Sequence, residues 1–230
     1  MSKVQKYLAT LILLICSSLC CFSQTLQVPN FKKIKHNIDT LELTTYVDIK
    51  GIDVNNKYFS DTVFTPKLYD TISYMITNLL KNKYHLKQVS NNIKTNRIIN
   101  RDFNTLFSNI NMLGNSIPDI ELPDSLFQIE NHSRYSLITI FVGYYRTTEK
   151  VRKDSKDLMP SSLAVGLLSL GSLMVYQVNP AYLAMRIIVY DRIEKRVLYY
   201  NAGSLPGFNK VDYYRIKELI VNNFKTIYYK

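Results

Sequence analysis

Cysteine is nearly absent: the 230 residues hold three, at positions 16, 20 and 21, and none follows. That excludes a disulfide-stapled scaffold, a cysteine-ligated zinc site and a thiol nucleophile anywhere beyond position 21. Seven glycines and seven prolines exclude collagen-like and linker-dominated chains. Acid is also scarce, with 18 Asp and Glu against 29 Lys and Arg, a formal +11. Even so, 47% of residues are hydrophobic, too many for a disordered chain. The length suits one domain of ordinary size.

The usual catalytic motifs are missing too. There is no G-x-S-x-G, H-E-x-x-H, G-x-x-x-x-G-K-[ST], G-x-G-x-x-G or C-x-x-C. The three histidines, His36, His85 and His132, lie far apart, with no carboxylate or second histidine at ligand spacing. They read as surface or loop residues. His132 with Asp124 and Ser125 could be drawn as a hydrolytic set, but spacing gives it no support. Asp119, Glu121 and Asp124 form the densest acidic cluster. Pro118 and Pro123 interrupt it, and the glycine of an EF-hand loop is lacking, so a solvated loop is the simpler reading. The expectation is a non-enzymatic protein with no catalytic residue, cofactor or metal.

What is present begins with an address. Residues 1–24 read MSKVQKYLATLILLICSSLCCFSQ. Lys3 and Lys6 precede an apolar run from Tyr7 to Ile15, and small residues follow at Ser17, Ser18 and Ser23. This is the three-part pattern of a secretory signal, with a run too short for a comfortable membrane span. Cleavage after Ser23 would make 1–23 the signal peptide and remove all three cysteines. It would take two of the 29 cations and no acid, leaving +9. Lipidation is the main variant, and Cys21 is the least poor acceptor.

Residues 24–40 read as a loosely held lead-in, and 41–230 as one envelope domain. Leu41–Lys50 alternates as a strand does. Thr65-Pro66 opens a helix, with Leu68, Ile72, Met75, Ile76, Leu79 and Leu80 on one stripe. Tyr84–Val89 suits a short strand. Ile99, Phe103, Leu106, Phe107, Ile110 and Leu113 make a second helical stripe stopped by Gly114. Tyr135–Arg146 is apolar on both faces, the pattern of a central strand in a covered sheet. Tyr182–Tyr190, the turn Asp191–Lys195 and Arg196–Ala202 form a hairpin. Asp212 would cap a last helix with Ile216, Leu219, Ile220, Phe224 and Ile227 buried. The order predicts an α+β single domain, a mixed sheet covered by helices.

One stretch stands apart. From Leu158 to Met185 there is no Asp, Glu, Lys or Arg. Arg146, Lys150, Arg152, Lys153 and Lys156 lie just before it. The stretch 158–180 could cross a membrane, dock on a membrane or partner as an exposed flap, or fold over the domain's own core. A span would place the strands on either side of it across a membrane from each other, although both read as parts of one sheet. The candidate interaction surface is therefore Arg152, Lys153 and Lys156 with Leu163, Val165, Leu167, Leu168, Leu170, Leu173 and Met174. The many tyrosines often come in pairs, such as Tyr144-Tyr145 and Tyr199-Tyr200. They read as amphipathic packing with the hydroxyls reaching water.

The segment Ala184–Asp191 followed by Lys195–Tyr200 forms an aliphatic strand, an Asp turn and a basic V-L-aromatic return. With the export signal and the late apolar stretch, it resembles small bacterial envelope proteins of the LpoB, PelC and TolB amino-terminal-domain type. The likeness covers roughly residues 41–228 as topology. It implies an α+β fold and non-enzymatic work as an anchor, ring-forming subunit or partner of envelope machinery. The expected partners are an envelope protein or a second copy, or an anionic membrane or wall surface, which the diffuse positive charge would favour. Nucleic acid is not expected, since the lysines are spread out. The expected location is the periplasm or the outer membrane. An envelope-polymer hydrolase with an unrecognised site, or an integral membrane protein through 158–178, are the alternatives.

Overall fold

The structure, a computed structural model, describes residues 24–88, 133–168, 178, 180–207 and 213–228. In chain order the elements are β1 (Gln24–Gln27), α1 (Phe31–His36), β2 (Thr40–Ile52), β3 (Tyr58–Ser60) and α2 (Phe64–Leu80). Then follow β4 (His85–Gln88), β5 (Tyr135–Arg146), α3 (Thr148–Leu168), β6 (Ala181–Asp191), β7 (Arg196–Pro206) and α4 (Tyr213–Tyr228). They make one α+β domain with a mixed seven-stranded sheet.

β5 sits at the centre because both its faces are apolar. It pairs parallel with β2 and antiparallel with β6. The sheet continues through β7 to β1 on one side. On the other side β2 carries β4 along its first residues and β3 along its last, so the two share one edge. One face presents Leu137, Phe141 and Tyr145 of β5 and Leu183, Met185, Ile187 and Val189 of β6. These form a single core with Leu68, Ile72, Ile76 and Leu80 of α2 and Ile216, Ile220, Phe224 and Ile227 of α4. The other face is buried as well, at Tyr46, Ile138, Ile140, Ile188 and Tyr190. Two-sided burial is what a near-continuous apolar strand demands.

Residues 24–40 correct the sequence reading. They hold a strand and a helix where a loose lead-in was expected. Thr25 Oγ1 donates to Asn201 Oδ1 at 3.0 Å, and Asn201 Nδ2 donates to the Asn223 carbonyl at 2.8 Å. Phe31 stacks on Tyr199 with centroids 5.0 Å apart. Both elements are too short for a periodic signal, and long-range contacts define them. Tyr199 and Tyr200 are also both buried, against the expectation that their hydroxyls reach water. The Tyr199 hydroxyl instead donates to the Asn223 carbonyl at 3.4 Å. Burial raises the pKa of both phenols.

A second correction concerns the start of α2. The N-cap position is Val63, and the capping carboxylate comes from Asp61, not from Thr65. Asp61 Oδ1 accepts the Val63 and Phe64 amides at 3.1 and 2.7 Å, so helix begins at Phe64 and Pro66 falls within the first turn. There its missing N–H still costs nothing. Thr65 Oγ1 reaches back to the Ile49 carbonyl at 3.4 Å.

The last carbonyls of α4 meet three donors from elsewhere in the chain. Lys35 Nζ donates to Thr226 O at 2.7 Å, Lys83 Nζ to Ile227 O at 2.7 Å and also to Tyr228 O, and Tyr84 Oη to Ile227 O at 3.0 Å. Ammonium groups at a helix C-terminus satisfy orphan carbonyls and oppose the negative end of the dipole. The helical stripe at 99–113, the cluster 119–124, His132 and Asp212 lie outside the described residues, as do residues 1–23.

Candidate interaction surface

β5 leaves the sheet at Arg146, and α3 starts at once. The Thr147 amide donates to the Ile52 carbonyl at 3.0 Å, tying this corner to the end of β2. Thr147 Oγ1 accepts the Lys150 amide at 3.3 Å and so caps α3. Residues 148–157 contain one aliphatic side chain, Val151, so packing does not explain this helix. An ionic cluster supports it instead. Arg146 Nε lies 3.2 Å from Asp154 Oδ2, and Lys150 pairs with Asp154 Oδ1 one turn away. Lys150 is buried. Two of the five cations read as a basic run are therefore turned inward onto one carboxylate.

Arg152, Lys153 and Lys156 remain exposed, as expected of a contact surface. Arg152 and Lys156 share a helical face. Glu149 and Asp157 are exposed beside them, which tempers the local field. The uncharged stretch does not start a separate element. It continues α3 from Leu158 to Leu168, through Pro160. Leu163, Val165, Leu167 and Leu168 lie on that half, where the backbone alone is described. Leu170, Leu173, Met174 and Cys21 lie outside the described residues. Among the described residues no helix is long and apolar enough to cross a membrane.

Beside α3 lies an open cleft of about 430 Å³, lined by Tyr144, Arg146, Asp154, Asp157, Leu158 and Val178. The Arg146 guanidinium lies 5.2 Å from the Tyr144 ring centre, and Tyr144 stacks on Tyr182 with centroids 6.1 Å apart. The Arg146 amide donates to the Pro180 carbonyl at 2.7 Å. Among the described residues its walls thus carry one cation, two carboxylates and aromatic faces. His36 and His85 are exposed, on α1 and β4. Among the described residues no group of three or more His, Cys, Asp or Glu could hold a metal ion.

The opposite end of the sheet carries another ionic cluster. Arg134 grips Asp191 with Nε at 3.1 Å and Nη2 at 2.8 Å, which raises the arginine's pKa chiefly through that bond. Asp191 Oδ1 also accepts the Ile193 and Glu194 amides at 3.0 and 3.2 Å, so this carboxylate shapes the β6–β7 turn. Glu42, almost fully buried, is met by Arg192 Nη1 at 3.1 Å. These groups are consumed structurally.

Sequence reading missed one exposed feature. The tip formed by the β2–β3 turn and the start of α2 shows Tyr58, Phe59 and Val63 to solvent. A turn signal was available in Asp53-Val54-Asn55-Asn56, where Asn56 adopts φ 63°, a conformation asparagine tolerates. The three-residue strand after it is too short to register as a period.

No protein-family profile matches this chain, and no curated protein matches it in sequence. Among solved structures, a PelC dodecamer from Paraburkholderia phytofirmans is similar at a TM-score of 0.41 and 9% identity. The match covers 91% of this chain and 99% of that one. A second crystal form, a dodecamer of a PelC point variant from the same organism, matches at 0.41 and 8% identity over the same shares. At that level the likeness is one of outline and transfers neither a residue role nor an activity.

Proposed function

We propose that this protein is an exported, non-enzymatic accessory protein of the bacterial cell envelope that works by surface contact. The observation carrying this reading is α3. It leaves the sheet with Arg152, Lys153 and Lys156 exposed and runs on into a stretch without charge. A helix with cations at one end and apolar residues at the other suits an anionic membrane surface or an apolar partner. The signal-like N-terminus supports the location, and the positive balance supports residence near anionic envelope polymers.

The contact is with a membrane surface or another protein, a second copy included. Fractionation of cells expressing the full chain, with acyl labelling and intact-mass measurement, tests location and lipidation at Cys21. Deleting 158–178 tests the contact. The reading expects a folded protein that no longer associates with membranes or itself. A deletion that merely unfolds the protein would assign the segment to the core and remove the main support.

A further inference from the structure

We infer that the β2–β3 tip is a preordered wedge that seats on an anionic phospholipid surface. This rests on the membrane-surface form of the proposed function and names the residues that would enter the lipid.

Exposure is the first observation. Tyr58 is 70% exposed, Val63 63% and Phe59 40%, all within six positions of one another. All three residues of β3 are exposed. Apolar residues scattered singly over a surface need no explanation, whereas a set exposed around one turn does.

Rigidity is the second. The Phe59 ring covers Gly51 so closely that a Cβ there would come within 2.1 Å of it. Phe59 and Phe64 each meet the Tyr145 ring edge-on, at 6.0 and 6.1 Å. The Tyr145 hydroxyl donates to Asp61 Oδ2 at 2.6 Å. A tip held this way loses little conformational freedom on contact.

The third is where the charges point. Asp53 Oδ1 accepts the Asn55 and Lys57 amides, both at 2.8 Å. Asp61 is turned onto the start of α2. Both carboxylates of the tip are thus directed at the protein's own donors. Lys50 reaches across to Ser60 Oγ at 3.3 Å and to Asp48 at 2.9 Å. Lys57, Tyr58 and Val63 are all exposed on this tip, a basic group with an amphipathic and an apolar residue. Tyrosine favours the headgroup depth of a bilayer, and lysine favours anionic headgroups. The tip lies at the same sheet end from which α3 departs with its exposed cations.

The absence of tryptophan makes the test direct. Two variants of the full chain, each as the host processes it, carry one tryptophan: Tyr58→Trp at the tip and Ile193→Trp in the β6–β7 turn at the far end. Each is titrated with vesicles of phosphatidylglycerol and phosphatidylcholine, and with phosphatidylcholine alone. With the anionic vesicles, emission from position 58 should move to shorter wavelength and be quenched by brominated lipid, while position 193 stays unchanged. Adding Lys57→Glu and Val63→Ser should weaken partitioning about tenfold or more. If the chain sediments with vesicles but position 58 does not respond, another surface binds and the wedge is wrong, while the proposed function stands. If both positions respond alike, adsorption is unspecific and the wedge is wrong. If no vesicle binds the chain, the wedge fails together with the membrane form of the function, and only the protein-contact form survives.

Discussion

The Tyr145 hydroxyl of the central strand donates a 2.6 Å hydrogen bond to Asp61, the residue that caps α2. One carboxylate thus joins strand, helix start and exposed tip. Asp61→Ala removes the acceptor of two amides and of the Tyr145 hydroxyl, so it should cost about 2 kcal/mol, while Tyr145→Phe should cost about 1. The double variant should be less destabilised than the sum, because both changes delete the same bond. Urea unfolding of the four proteins measures this. Additivity would show that the bond does not form in solution.

Two glycines are required by close approach. A Cβ on Gly203 would come within 2.4 Å of Asn223 Nδ2, and one on Gly143 within 2.2 Å of the Tyr182 carbonyl oxygen. A side-chain amide can shift, whereas a paired backbone carbonyl in the same sheet cannot. Gly203→Ala should cost about 1–3 kcal/mol and Gly143→Ala more than that. Thermal unfolding should rank them in this order. Equal losses would place the strain elsewhere.

The same pair of positions indicates what sequence could disclose. Gly203 lies beyond Ala202, where the hairpin was expected to stop, yet β7 runs to Pro206 because its ladder with β6 continues to Tyr182. Long elements with an uninterrupted pattern, β5, β6, α2 and the buried face of α4, were legible since burial writes itself into period and composition. The short β4 was read as well, within Tyr84–Val89, whereas β1, α1 and β3 were not, because partners elsewhere in the chain define them, as Asn201 does for Thr25. The first half of α3 was hidden for another reason. Its stability comes from Asp154 holding Arg146 and Lys150, and a charge cluster leaves no apolar stripe. Of the candidate surface, the exposed cations were readable, whereas the tip was not, since exposure of Tyr58 depends on fold.

The cations around α3 should divide into two classes. Asp154→Asn leaves the buried Lys150 and the neighbouring Arg146 without their counter-charge, so it should destabilise by about 1–3 kcal/mol. Arg152→Ala, Lys153→Ala and Lys156→Ala should each stay within about 0.5 kcal/mol of the parent, as solvated side chains do. The triple variant should nevertheless weaken binding to anionic vesicles, with the loss shrinking as salt is raised. Chemical denaturation and vesicle sedimentation separate the classes. A triple variant that unfolds would make these residues structural.

Alkaline pH should unfold the protein through its buried phenols, and Tyr84 is the best placed to show it. Burial pushes its pKa from 10.0 to about 12, and its hydroxyl donates to the Ile227 carbonyl at the end of α4. Below pH 10 the folded and unfolded chains both keep the proton, so the group's contribution is intact. Above that the unfolded chain releases it first and binds fewer protons, so stability falls as pH rises towards about 12. Lys35, packed against the same helix end, works in the opposite direction. Burial lowers its pKa below 10.5, so between the lowered value and 10.5 the unfolded chain holds more protons and stability gains slightly with pH. The two effects should give a plateau or shallow rise that breaks near pH 10. Tyr84→Phe should be about 1 kcal/mol less stable at pH 7, having lost one buried hydrogen bond, yet decline less steeply above pH 10. Urea midpoints across that range decide it. Parallel declines for the two proteins would mean that the alkaline transition belongs to other groups, with the buried Tyr199 and Tyr200 the next to replace.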